Sequence, residues 1–188
     1  MKVLGILGSP RTSGNTHALM TSVMKGCDSL GAETEIVELG DLEIKECDGC
    51  HACWKGRECP KGDDMLDLYE TMKKSDAFVF GTPVYWYAPS GLMKMLIDRM
   101  VYFNCPENRI SIRGKVATYV IPFEELDPAT AEPVEDFFRR CFQYLELRLI
   151  EGVVVPGVNA KGEVSRKSDA MESAYQLGRS ITSCGLRE

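Results

Sequence analysis

Apolar positions along the chain fall into short continuous runs and into helical stripes, and the two alternate. Val3 to Leu7 is a near-continuous apolar run and predicts a buried β-strand. Thr16 to Leu30 carries Leu19, Val23, Cys27 and Leu30 on one stripe with Met20 and Met24 beside it, which predicts an amphipathic helix. Gly31 stops that helix, and Glu33 to Leu39 alternates like a second strand. A long loop fills 40–63. Asp63 or Asp64 is then expected to cap a helix over 65–74, with Met65, Leu68, Tyr69 and Met72 on one face. Ala77 to Gly81 predicts a central parallel strand, 82–90 a loop, and 91–103 a helix. Lys115 to Ile121 predicts a fourth core strand, followed by a loop over 122–131 and a helix opened by Pro133 and ending near Leu145. Arg148 to Val155 predicts a fifth strand, and Ser168 to Cys184 the last helix.

Strand and helix alternate five times, which predicts an α/β fold: a doubly wound sheet of five parallel strands with helices on both faces. With 188 residues and no clear linker, residues 1–188 are expected to form one domain. Ligands of such sheets bind beyond the carboxyl ends of the strands, where strand order reverses. That rule puts three loops on one rim: 9–16, 82–90 and 122–131.

Composition narrows the classes. Hydrophobic residues make up 44% and charged residues 27%, which argues against disorder. A net charge of −6 argues against a nucleic-acid or anionic-membrane surface. No apolar run is long enough for a bilayer, and Gly8-Ser9-Pro10-Arg11 cuts short the apolar start of the chain, so a cytoplasmic location is expected.

The first rim loop is Gly8-Ser9-Pro10-Arg11-Thr12-Ser13-Gly14-Asn15-Thr16. A strand, a hydroxyl- and glycine-rich turn and a helix N-terminus together suit an anion. The first helical N–H groups have no internal partner, and the helix dipole favours negative charge there. Arg11 adds a full positive charge. The loop lacks both the Gly-Lys-Ser/Thr of a triphosphate loop and the Gly-x-Gly-x-x-Gly of a dinucleotide fold, which points to one compact phosphate, as on a mononucleotide. A polar turn in which Asn15 or Thr16 merely caps the helix is the plainer alternative. The second rim loop sets Tyr85, Trp86 and Tyr87 between Pro83 and Pro89, a stiff aromatic edge suited to a flat heterocycle or to covering the sheet end.

Eight cysteines stand in the chain, and four of them, Cys47, Cys50, Cys53 and Cys59, crowd into the loop before the second helix. In a cytosol-like composition this pattern favours metal or redox chemistry over disulfide staples. Cys-x2-Cys-x2-Cys followed by Cys59-Pro60 is the spacing with which thiolates take successive corners of a 4Fe–4S cube, whereas structural zinc usually spreads two Cys-x2-Cys knuckles further apart. Free or redox-switching thiols remain a third reading. His51 lies inside the motif as a bystander, and neither it nor His17 is a catalytic candidate.

The phosphate-loop motif, Thr82-Pro83-Val84-Tyr85-Trp86, and Met93-Lys94 with Asp98-Arg99 together resemble the NADPH-dependent FMN reductase group of flavodoxin-like proteins over nearly the whole chain. The cysteine spacing, in its position between second strand and second helix, resembles the iron–sulfur flavoproteins of that group. The resemblance implies that Ser9, Arg11, Ser13, Gly14, Asn15 and Thr16 hold the FMN phosphate and that Pro83, Val84, Tyr85 and Trp86 line the ring. It implies a 4Fe–4S cluster on Cys47, Cys50, Cys53 and Cys59, with no catalytic side chain. Asp98 and Arg99 read as a structural or interface pair. The segment 122–127 lacks the glycine that many members carry there, so no flavin contact is assigned to it. The implied function is electron transfer between a one-electron donor such as ferredoxin and a small acceptor, in a homo-oligomer. NAD(P)H is a possible donor in a cluster-free FMN or quinone reductase, and a thiol-based redox sensor is the non-enzymatic alternative.

Overall fold

The computed structural model describes residues 1–185. Its elements in chain order are β1 (Lys2–Leu7), α1 (Asn15–Asp28), β2 (Glu33–Glu38), α2 (Met65–Lys74), β3 (Ala77–Gly81), β4 (Val84–Tyr85), β5 (Ala88–Pro89), α3 (Gly91–Arg99), α4 (Pro106–Arg109), β6 (Val116–Pro122), α5 (Glu132–Tyr144), β7 (Arg148–Leu149), β8 (Val153–Val155) and α6 (Ser168–Gly185). The main sheet runs β2-β1-β3-β6-β7, with β8 also on β6, and its pairings are all parallel. Leu7 lies opposite Glu38 on one side and Gly81 on the other, and Gly81 lies opposite Val120. This register brings the carboxyl ends of the central strands, and the loops that leave them, to one rim.

The central strands read as continuous apolar runs because both of their faces are covered. Leu4, Ile6, Phe78, Phe80, Tyr119 and Ile121 face one layer, where Met72, Leu96, Phe138 and Phe142 come from α2, α3 and α5. Val3, Leu7, Val79, Val116 and Val120 face the other, against Leu19, Met20 and Val23 of α1 and Leu177 and Ile181 of α6. Helices α1 and α6 cross at glycine: a Cβ on Gly26 would stand 2.0 Å from the Tyr175 carbonyl oxygen, and one on Gly178 would stand 2.0 Å from that of Val23. Among the described residues, no helix is long and apolar enough to cross a membrane.

The structure departs from the sequence reading in four places. The fifth strand is broken: Ala117 pairs with Leu149 but Val120 pairs with Val153, so one extra residue is inserted and the chain bulges between β7 and β8. Gly152 sits at the break, where a Cβ would meet the Tyr119 carbonyl oxygen at 2.1 Å. The loop 82–90 is a hairpin, β4 against β5, turned through Trp86 and Tyr87 at φ of 50° and 60°. Glycine or asparagine normally announces such a turn, and two aromatics hid it. The third helix ends at Arg99 and tightens to a 3-10 helix over Met100–Asn104 before the short α4. Finally, the N-cap residue Asp64 gives α2 no side-chain cap: its carboxylate accepts from the backbone N–H of Glu43 (2.7 Å), as that of Asp63 does from Lys45 (2.8 Å).

Candidate functional site

The rim carries a pocket of about 150 Å³ whose walls come from four loops. Ser9, Arg11, Asn15 and Thr16 form one wall, at the uncapped N-terminus of α1, where Gly14 is the N-cap and no side chain accepts from the first N–H groups. These backbone donors, two hydroxyls and a guanidinium make a donor set that suits a phosphate. The turn before them is tight: Gly14 N–H donates to the Arg11 carbonyl (3.1 Å) and Arg11 N–H to Ser9 Oγ (3.2 Å). Ser13 takes φ of 54°, and neither Ser13 nor Gly14 lines the pocket. Asn15 is not a cap. Its amide is spent on the loop after β8, donating to the Ala160 carbonyl (3.1 Å) and accepting from Val164 N–H (3.1 Å).

The hairpin forms the second wall through Pro83, Val84 and Tyr85, whereas Trp86 is 96% exposed at its tip and is not part of this pocket's lining. Two buried hydroxyls fasten it. Thr82 Oγ1 accepts from Ser90 N–H (2.9 Å), and Ser90 Oγ caps α3 while donating to the Gly8 carbonyl. The phosphate loop and the base of the hairpin therefore hold each other.

The third wall comes from the loop after β6, one of the three that the strand-end rule puts on the rim. Pro122, Phe123, Glu124 and Glu125 line the pocket. They are drawn there because Phe123 N–H donates to Val155, and Val158 and Gly157 N–H donate to Phe123 and Glu125 (3.0, 2.9 and 2.8 Å). The fourth wall, Val158, Asn159 and Lys161, was missed from sequence. The rule that placed three loops on the rim applies equally to the loop leaving the fifth strand. Arg11 Nη1 donates to the Asn159 carbonyl (2.9 Å), and Glu163 folds the loop by accepting from Asn159 and Ala160 N–H, which holds its carboxyl below the usual range.

The cysteine loop lies on the α2–α3 layer. Cys47, Cys50, Cys53 and Cys59 all line one small hollow of about 40 Å³, together with Tyr69 and Arg99. Every cysteine in the chain is a free thiol, and the surface the hollow exposes is almost wholly apolar, although Asp48, His51, Lys61 and Arg99 also border it. Four thiols around an apolar hollow form a donor set that fits an iron–sulfur cluster. Among the described residues, no three His, Cys, Asp or Glu side chains are already drawn together at metal-ligating spacing. His51 packs edge-on to Trp54, with 4.9 Å between the ring centres. Burial pushes the Cys53 thiol up, and Cys59 and Cys47 add to the shift.

The side chains of Arg99 and Asp63 are 1% and 0% exposed, and the two form a bidentate pair with N···O distances of 2.6 and 2.9 Å. The expected Asp98–Arg99 pairing is thereby corrected: Asp98 instead takes Lys94 one turn back, at 2.6 Å. Consecutive helical residues point in different directions, so two such neighbours do not meet. Burial alone would raise the Asp63 carboxyl, but Arg99 and the Lys45 N–H outweigh it and hold it below the usual carboxylate range. A depressed folded-state value contributes stability above the unfolded value of about 4, lost as pH falls through the folded one. Asp63→Asn should therefore be less stable than the parent at pH 6, with the gap narrowing below pH 4. Urea unfolding across that range checks it, and a gap that stays constant would show that Asp63 is not the titrating group.

The strand order, the rim pocket and its phosphate-suited wall define a flavodoxin-like protein. The family profile of NADPH-dependent FMN reductase matches residues 1–123. An iron–sulfur flavoprotein of Methanocaldococcus jannaschii is 41% identical over 96% of this chain and 95% of its own length. The chain belongs to the NADPH-dependent FMN reductase family and, within it, to the iron–sulfur flavoproteins, and it is a flavin-dependent oxidoreductase. Two solved structures share the fold. The NAD(P)H:quinone oxidoreductase of Methanothermobacter marburgensis superposes with a TM-score of 0.79 at 16% identity, covering 96% of this chain and 98% of that one. A flavone reductase gives 0.80 at 20% identity, covering all of this chain, which spans 64% of that protein's length.

Proposed function

We propose that the protein carries FMN in the rim pocket and a 4Fe–4S cluster in the cysteine loop, and moves electrons between a one-electron donor such as ferredoxin and a small acceptor. The observation that carries the reading is that Cys47, Cys50, Cys53 and Cys59 all face one apolar hollow. Ser9, Arg11 and Thr16, with the N–H groups at the start of α1, would bind the phosphate. Pro83, Val84 and Tyr85 would border the ring, as would Phe123 across the pocket. A flavin exchanges one or two electrons and a cluster only one, so the pair converts between the two kinds of carrier. The residues of this chain supply position and potential, and no side chain acts as acid or base. We also assign a homo-oligomer, for which the aromatic hairpin tip, with Tyr87 61% exposed beside Trp86, offers a contact.

A second reading rests on the family match alone: a cluster-free reductase taking hydride from NAD(P)H. Iron and acid-labile sulfide per FMN, measured on anaerobically purified protein, separate the two. About four of each per flavin is the expected result. Flavin with neither iron nor sulfide would establish the cluster-free reductase instead.

A further inference from the structure

We propose that Arg99 is a positioning residue of the cysteine site, anchoring Cys59 from inside the protein and raising the reduction potential of the cluster held there. The inference rests on the cluster reading above. Arg99 ends α3 with its guanidinium buried against the back of the cysteine loop. Nη1 donates to the Lys45 carbonyl (2.8 Å) and to Asp63 Oδ2 (2.6 Å). Nη2 donates to Asp63 Oδ1 (2.9 Å) and to Cys59 Sγ (3.3 Å). The Asp63 fork alone completes an ion pair. The remaining Nη2 hydrogen is aimed at a sulfur, and the Lys45 carbonyl fixes the guanidinium plane from the other side.

The backbone behind it is fixed too. Tyr69, another residue of the hollow wall, donates its hydroxyl to the Arg99 carbonyl at 2.7 Å. The other cation in the wall, Lys61, is paired with Asp48 at 2.8 Å. A reduced cluster carries one more negative charge than an oxidised one. A buried positive charge and a hydrogen bond to a ligating sulfur both favour that state. Asp63 pulls the other way, so the two members of the pair have effects of opposite sign.

That opposition supplies the test. The full chain is reconstituted anaerobically with iron and sulfide, and the cluster midpoint is followed by electron paramagnetic resonance during a redox titration. Arg99→Gln is expected to shift the midpoint to more negative values and Asp63→Asn to more positive ones. Arg99→Lys keeps the charge but cannot fork, so its midpoint should lie between those of Arg99→Gln and the parent. It should also lose iron to a chelator several-fold faster than the parent. General loosening of the loop would move Arg99→Gln and Asp63→Asn in the same direction, and that result, or no shift in either, overturns the proposal with the cluster intact. If Arg99→Gln does not fold, the opposed shifts of Arg99→Lys and Asp63→Asn decide. A parent protein that takes up no iron overturns the cluster reading, and this inference falls with it.

Discussion

Gly178→Ala is expected to destabilise the protein by about 2–4 kcal/mol, although alanine is the better helix former. The propensity gain of about 1 kcal/mol belongs to an open position, and Gly178 has no room. Its Cβ would stand 2.0 Å from the Val23 carbonyl oxygen and 2.9 Å from the Cys27 amide nitrogen, both backbone atoms that cannot rotate away. Helices α1 and α6 must separate, and overpacking of this kind costs roughly 1–3 kcal/mol or more. Separation also breaks the bond from the Cys27 thiol to the Gly178 carbonyl (3.3 Å) and loosens Leu19, Val23, Leu177 and Ile181. Thermal unfolding should fall by roughly 5–12 °C for a chain of this size. Gly91→Ala, at an exposed helix start with nothing within 4 Å of its Cβ, should be neutral or slightly stabilising. Equal melting temperatures for the two variants would show that the α1–α6 contact is not so close.

Arg11→Ala is expected to weaken FMN binding by about 10- to 100-fold, the worth of roughly 1.5–3 kcal/mol for hydrogen bonds to a charged group. Arg11 brings the one guanidinium on the phosphate wall of the pocket, and its hold on Asn159 keeps the fourth wall in place. The loss should shrink as salt is added, because the charge on this exposed side chain is screened. Arg11→Lys should recover part of the affinity, and Lys161→Ala should cost less than Arg11→Ala, since Lys161 meets the ligand only as a flexible point charge. Flavin fluorescence during titration of the apoprotein measures all three. An Arg11→Ala dissociation constant equal to the parent's would place the phosphate elsewhere.

Helix α2 and strand β3 are legible to the residue because their patterns are local: the buried stripe of Met65, Leu68, Tyr69 and Met72, and the Ser75-Asp76 step between two apolar stretches. The phosphate loop is legible for the same reason: its chemistry and its backbone lie in one stretch. What escaped depends on partners far along the chain. Asp63 and Arg99 stand 36 residues apart, so a local reading gives one to a helix cap and the other to its neighbour Asp98. The bulge at Gly152 packs against Tyr119, and the base of the Trp86-Tyr87 hairpin is clamped to Gly8, contacts that no local stretch announces. The four cysteines were found by spacing, yet the cation behind them could be seen only once α3 was laid against the loop.

The base of the cysteine loop is closed on itself. Glu43 N–H donates to Asp64 Oδ2, Asp64 N–H returns a bond to the Glu43 carbonyl (3.2 Å), and Lys45 N–H donates to Asp63. Residues 46–62 therefore leave and rejoin the body at nearly one point, as an Ω-shaped excursion does. The rim pocket draws its walls from other loops altogether. Such an excursion behaves as a cassette: the rim pocket takes no wall from it, so a change of length or composition within 46–62 leaves the walls of that pocket in place.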